Sequence, residues 1–201
     1  MQKGTSWTYR GTVSWGNRDS MESKHISWKS EITDFVQEGR VKVALLLGHP
    51  VDLTWYTEQT RRGCYLFISV DDRDFYLQQI ESSCELPKQN FANLLKDEDL
   101  VLRLPIKRGD EFGGYKEDPA KAQECMYDWC VEEVRQTKLP GVRGIPGTRR
   151  FTAYELFFRT NPDHQIATWV PGIGLTHFVY SHHGTVSEVE VDLAEFRQPG
   201  K

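Results

Sequence analysis

The feature that most constrains this chain is a strict two-residue alternation that begins near its amino end and returns along most of its length. In SWTYRGTVSW, Trp7, Tyr9, Gly11, Val13 and Trp15 fall on one side, and Ser6, Thr8, Arg10, Thr12 and Ser14 on the other. Successive side chains of an extended backbone point to opposite faces, so this pattern predicts a half-buried β-strand. The period recurs in ISWKSEITDFV, with Ile26, Trp28, Ile32 and Val36 in phase, and in RVKVALLLG, where Val41, Val43, Leu45 and Leu47 share a face. Further strands are predicted in DLTWYTEQ, CYLFISV and RDFYLQQI, the last two joined by a turn at Asp71-Asp72. Beyond residue 125 they are predicted in MYDWCVEEVRQT, FTAYELFFRT, QIATWV, GLTHFVYS and VSEVEVDLAEF, with Tyr127, Trp129 and Val131 on one face of the first of these.

Strands therefore follow one another every ~8 to 15 residues with turn chemistry between them. No alternating strand-helix rhythm is present, which argues against the parallel α/β classes. The expected fold is mainly β: a curved antiparallel sheet, an open or half-closed barrel built from two meanders, with one short helix around Phe91 to Leu95. No linker is rich enough in Gly, Pro or Ser to force a division, so residues 1–201 are expected to form a single domain. A chain of this length can bury roughly 70% of its unfolded surface, enough for a true core.

Composition narrows the function by exclusion. A net charge of −4 with interspersed signs leaves no basic stripe for nucleic acid. No apolar run approaches the ~20 residues of a membrane-spanning helix. The opening MQKGTSWTYRG lacks the apolar core of a secretory signal, which is compatible either with a cytosolic chain or with a trimmed mature form. In the second case the expected location is the periplasm or outer envelope, with any lipid anchor upstream of Gln2.

The stretch Ala167 to Thr185, ATWVPGIGLTHFVYSHHGT, is the densest in chemistry-bearing residues. His177, His182 and His183 have a metal-like spacing, but along a strand His177 and His183 would stand roughly 20 Å apart at ~3.3 Å per residue, and His182 and His183 would point oppositely. A turn ahead of Gly184, with His182 or His183 bonding loop backbone, accounts for the pair better than a metal site. Pro171-Gly172 and Gly174 permit a tight turn or bulge, and Trp169, Phe178 and Tyr180 are suited to sheet packing. Trp169, Tyr180, His182 and His183 remain weak candidates for binding.

Glu188, Glu190 and Asp192 repeat at period two, ~6 to 7 Å per step. That lies near the carboxylate separations of glycoside hydrolysis. Val189, Val191 and Leu193 occupy the opposite face, so the acids read as the solvated side of an amphipathic strand. Asp71, Asp72 and Asp74 read as a hairpin turn rather than a Ca²⁺ loop, lacking the ligand spacing such a loop needs. The Arg pairs in RRG (61–63) and GTRRF (147–151) read as strand-end solvation rather than an anion site. No serine elbow, phosphate-cradling loop or HExxH is present, so no catalytic residue, metal or cofactor is expected.

Four cysteines, Cys64, Cys84, Cys125 and Cys130, allow three disulfide pairings. Cys125 and Cys130 differ by an odd offset, so within one extended strand they face apart and can pair only across a turn. Otherwise each pairs elsewhere, for instance with Cys64 or Cys84.

Three segments together carry a resemblance: LPIKRGDEFG (104–113), IPGTRRFTAYEL (145–156) and WVPGIGLTHFVYSHHGTVSEVEVDL (169–193). They resemble a group of uncharacterised bacterial exported proteins and lipoproteins with a Trp-x-Pro-Gly-x-Gly-Leu hairpin, whose fold is similar to the curved, half-closed sheets of LolA/LolB-type lipoprotein carriers. Here Val170 stands where an aromatic is usual, Thr176 replaces a common Val, and Arg149 and Arg150 precede Phe151. The resemblance implies an envelope location and a hydrophobic or peptide ligand in the concavity, and it brings no enzymatic residues. The leading expectation is therefore a non-catalytic cell-envelope protein binding an apolar ligand or partner chain. A hydrolase using the surface carboxylates or the His182/His183 pair, and a structural interaction module offering a sheet edge, are the alternatives.

Overall fold

Among the described residues, twelve strands form one antiparallel sheet whose order mirrors the chain about its two ends. In a computed structural model, which describes residues 1–17, 20–80, 83–88, 91–113 and 125–200, the first meander comprises β1 (Ser6–Asn17), β2 (Ser20–Glu38), β3 (Val41–Leu47), β4 (Cys64–Val70), β5 (Asp74–Ile80) and β6 (Leu100–Arg103). The second comprises β7 (Glu111–Phe112), β8 (Trp129–Lys138), β9 (Arg150–Arg159), β10 (Asp163–Val170), β11 (Gly174–His182) and β12 (Val186–Arg197). The order is β6-β5-β4-β3-β2-β1-β12-β11-β10-β9-β8-β7. The first and last strands thus join the two meanders side by side, from Ser6↔Arg197 to Gly16↔Val186.

Curvature brings the two edges together as a nearly closed barrel. Gly113, just after β7, lies against the Leu100 carbonyl at the start of β6. Both edge strands are short, and short edges offer little template for another chain. Bulges sharpen the bend: register slips between Thr8 and Tyr9, Ile32 and Asp34, and Thr168 and Trp169. An extra residue on one strand increases local twist, which a sheet needs in order to close. Gly11 lets β1 lie close against β12, because a Cβ there would overlap the Glu190 carbonyl.

The alternation seen in the sequence sorts inside from outside as expected over much of the sheet. Tyr9 and Val13 of β1 are buried, with Trp7 and Trp15 packed beside them. In β12 Val189, Val191 and Leu193 are buried, while Glu188, Glu190 and Asp192 are exposed. β3 departs from the expected one-sided face. Ala44 and Leu46 pack with Ile32 and Tyr65, whereas Val43 and Leu45 join the larger cluster, so both of its faces are covered. The segment that includes Phe91 supplies part of that cover, and Gln78 of β5 ties to it by donating to the Asp99 carboxylate at 2.7 Å.

Three of the expected elements take another form. The helix expected around Phe91 to Leu95 is a single 3-10 turn, Phe91–Leu94. The strand expected in DLTWYTEQ is absent: Pro50–Leu53 is a 3-10 turn, with proline near its start and the His49 ring accepting from Val51 N–H. Loop then continues to β4. Its Trp55 and Tyr56 face different partners, Tyr180 and Trp15, rather than the two sides of a sheet. Finally, Tyr127 does not share a face with Trp129 and Val131. It precedes β8 with a φ of 65° and is exposed.

Residues 48–63 lie across one end of the barrel. Leu53 and Pro50 are buried, Tyr56 packs on Trp15 at 5.0 Å, and Ser187 Oγ donates to the Thr54 carbonyl. Asp52 holds the far side of this loop by accepting from Gly63 N–H at 2.8 Å and from the Tyr65 hydroxyl.

Candidate functional site

The opposite end of the barrel is open, and a cavity of about 360 Å³ enters it there. Its walls are Trp7, Ile32, Phe67, Phe75, Trp169 and Phe196, contributed by strands from both meanders. Phe67 of β4 and Trp169 of β10 stack across the interior, with centroids 6.0 Å apart and planes 12° from parallel. Stacked aromatics of this kind supply large apolar surface with fixed geometry. The rim is more polar, with Thr5, Asp72 and Gln198.

The turn Pro171–Ile173 forms one side of the mouth, and β1 holds it in place. Trp7 Nε1–H donates to the Ile173 carbonyl at 2.6 Å, and the Tyr9 hydroxyl donates to the Leu175 carbonyl at 3.0 Å. Gly172 and Gly174 both have positive φ, and Gly174 faces the Trp7 indole. The glycines read from the sequence as turn permissions therefore also bring the backbone up to the cavity wall.

A smaller space of about 40 Å³ is bounded by Trp7, Ser30, Leu46 and His49 among others. Trp7, Phe67, Trp169 and Gly174 wall both spaces. His49 is 8% exposed, with its ring 5.7 Å from Tyr65 and 6.4 Å from Phe178. Burial pushes its imidazole down to about 3, so it is neutral at ordinary pH. Its Nδ1 accepts from Val51 N–H at 3.2 Å, which places the ring proton on Nε2. Among the described residues, that Nε2 has no hydrogen-bond partner, and neither has the buried Thr5 Oγ1 at the rim.

The residues singled out in the sequence are dispersed by the fold. Trp169 lines the cavity. Tyr180 and His182 lie at the covered end, where both contact Asp163: the Tyr180 hydroxyl at 2.9 Å and His182 Nδ1 at 2.7 Å. Trp55 packs edge-on to His182 at 4.7 Å. Burial alone would raise the Asp163 carboxyl; hydrogen bonds from His182, Tyr180 and Thr160 outweigh it and hold the group below its usual range. His182 thus bonds a carboxylate rather than loop backbone, while the exposed His183 donates its backbone N–H to Pro162. His177 pairs with Asp192 at 2.8 Å on the outer surface.

Each of the three turn aspartates has its own cation. Arg40 Nε meets Asp71 at 2.8 Å, Lys42 pairs with Asp72, and Arg103 Nε meets Asp74 at 3.1 Å. In GTRRF, Arg149 lies over the Phe151 ring at 4.9 Å. The cysteines pair as Cys64–Cys84 and Cys125–Cys130, with Cα separations of 5.6 and 6.0 Å. The second pair is local because Cys125 and Tyr127 take positive φ, the turn that an odd offset required. Glu111 lies near these sulfurs, but they are bonded to each other and offer no thiolate to a metal.

His49 escaped the sequence reading, as it stood alone between an apolar strand and a proline. Its one local signal was position: a histidine just ahead of Pro50 can cap the turn that follows.

No family model matches the chain, and no curated protein matches it. Among solved structures, it is similar to a Bacteroides fragilis protein with a YmcC-like fold, inferred to be exported. The TM-score is 0.49 and the identity 12%, over 98% of this chain and 97% of that one.

Proposed function

We propose that this protein is a non-catalytic cell-envelope protein that holds a small apolar ligand in the open mouth of its barrel. The observation that carries the reading is the aromatic-walled cavity of about 360 Å³ between Trp7, Phe67 and Trp169. A dry cavity of ~150 Å³ takes one benzene, so this one suits a ligand of roughly a dozen non-hydrogen atoms. Two disulfides and no free cysteine among the described residues support an oxidising compartment, which suits an exported chain of the periplasm or outer envelope. The carrier-like use of a curved sheet, implied by the resemblance of the three C-terminal segments, agrees with a ligand on the concave side.

The rival readings have less support. Glu188, Glu190 and Asp192 stand exposed on the outer face, away from the cavity lining. The edges that strand addition would need are two and four residues long.

The test is titration with N-phenyl-1-naphthylamine, an apolar dye that brightens out of water, alongside organic extraction and mass spectrometry of the purified protein. Saturable brightening is expected, and it should be lost in Leu104→Trp, which adds bulk at the rim where Leu104 lines the mouth. A protein that yields no extractable ligand and does not brighten the dye, or a Leu104→Trp variant that binds it unchanged, would overturn the reading.

A further inference from the structure

Although the chain as a whole is acidic, with a net charge of −4, arginines gather on one side of its open end. Antiparallel pairing sets the loop 139–149, between β8 and β9, at the same end as the turn Pro171–Ile173 and the chain beyond Arg197. That loop is fastened to a wall of the aromatic cavity: Phe196 N–H donates to the Arg143 carbonyl at 2.8 Å, and Arg143 N–H to the Ala194 carbonyl at 3.0 Å. A second hollow, of about 800 Å³, adjoins the first, and Pro171, Gly172, Ile173, Phe196 and Gln198 line both. Arg149 and Arg197 line it too, and among the described residues no carboxylate does. We propose that the ligand is a single-chain amphiphile with an anionic head, its tail in the aromatic cavity and its head held outside the mouth by Arg149, Arg197 and the Gln198 amide. This inference rests on the cavity-binding reading.

The argument for an anionic head is one of charge and exposure. Glu195 is shared by two cations, accepting from Arg143 at 2.8 Å and from Arg197, so one carboxylate balances only half of that pair. Arg149 rests over the Phe151 ring at 4.9 Å, and among the described residues no carboxylate pairs with it. A guanidinium stacked on a ring keeps its in-plane N–H donors for an anion, and its fork fits a carboxylate or a phosphate alike. The acid on the cavity rim, Asp72, is already paired with Lys42. Both lining arginines are exposed, so the head would keep much of its hydration and the cost of burying a charge does not arise. Its tail supplies the affinity; the arginines select the head.

Displacement of the naphthylamine dye by decanoate, decyl phosphate and decan-1-ol tests this in wild type, in the double variant Arg149→Gln/Arg197→Gln, and in Arg61→Gln, which removes an exposed cation from the loop at the covered end. The double variant should lose roughly three- to twentyfold in affinity for the anions, two exposed ion pairs being worth up to about fivefold each. Its affinity for decan-1-ol and for the uncharged dye should stay within about twofold, and Arg61→Gln should match wild type throughout. Raising sodium chloride from about 0.02 M to about 0.5 M should weaken both anions relative to the alcohol in wild type, and less so in the double variant. A loss confined to decyl phosphate would assign the head to a phosphate, and one confined to decanoate to a carboxylate. Anion losses no greater than that of decan-1-ol, equal losses in Arg61→Gln, salt-independent anion binding, or displacement by the alcohol but by neither anion would each overturn the assignment while leaving cavity binding intact. Failure of all three compounds to displace the dye would instead overturn the cavity reading itself.

Discussion

His49 shows how a single residue can carry both structure and acid sensitivity. Its ring caps the turn Pro50–Leu53 and packs between Tyr65 and Phe178. Burial lowers its pKa from 6.5 to about 3. Between those values an unfolded chain takes up a proton that the folded one refuses, so stability falls as pH drops through that window, with a slope of up to about 1.4 kcal/mol per pH unit from this group. Urea unfolding of wild type and His49→Phe at pH 7, 5.5 and 4 should therefore show wild type losing more stability than the variant on acidification. Parallel losses in the two proteins would contradict this account. Trp7 plays a comparable double part, as its indole face walls the cavity while its N–H fixes the turn at Ile173.

Elements here are decided by what covers them. β12 shows clean alternation because one face meets the core and the other meets water, and its acids are the watered face. β3 is buried on both sides, so its apolar run VALLL obeys no single parity. The 3-10 turn at Phe91–Leu94 forms where a longer helix was expected because the segment serves as cover, with Phe91 pressed into the core and the Leu94 carbonyl taken by Gln78. The Cys64–Cys84 disulfide fastens the start of this covering stretch to the first residue of β4. Closing a loop of 20 residues by a covalent bond stabilises by roughly 3 kcal/mol on chain-entropy grounds. A Cys64→Ala/Cys84→Ala double variant should lose about that amount in urea unfolding, with the sheet retained by circular dichroism. A loss below about 1 kcal/mol would mean that the covering stretch is held by its packing instead.

At the scale of the whole molecule, the topology places its strongest joint and its weakest one on opposite sides. β1 and β12 pair along nearly their full length and bury Tyr9, Val13, Val189 and Val191 between them. The seam lies between β6 and β7, which are consecutive in the chain, short, and at the two ends of the strand order. Local opening follows contact density and hydrogen bonding. Native-state hydrogen exchange should therefore protect amides of β1, β11 and β12 most and those of β6 and β7 least. Comparable protection at the seam would show that it is closed by a ladder as strong as the rest.

Much of this architecture was legible in the sequence, because period-two burial is a local property: each residue of SWTYRGTVSW or VSEVEVDL reports the face on which it lies. Antiparallel meanders, exposed carboxylates and the turn glycines of VPGIG all follow from such local rules. Other features depend on residues far apart in the chain. Phe67 meets Trp169, the Ile173 carbonyl meets Trp7, and the loop at 48–63 reaches Trp15, Tyr180 and Ser187. The His182 pairing with Asp163 and the orphan donor of His49 likewise exist only once the sheet has curled. The alternating pattern determined that this chain is a sheet with one face turned inward; closure of that sheet alone decided where its interior stays open, since a cavity is made by groups that no stretch of sequence brings together.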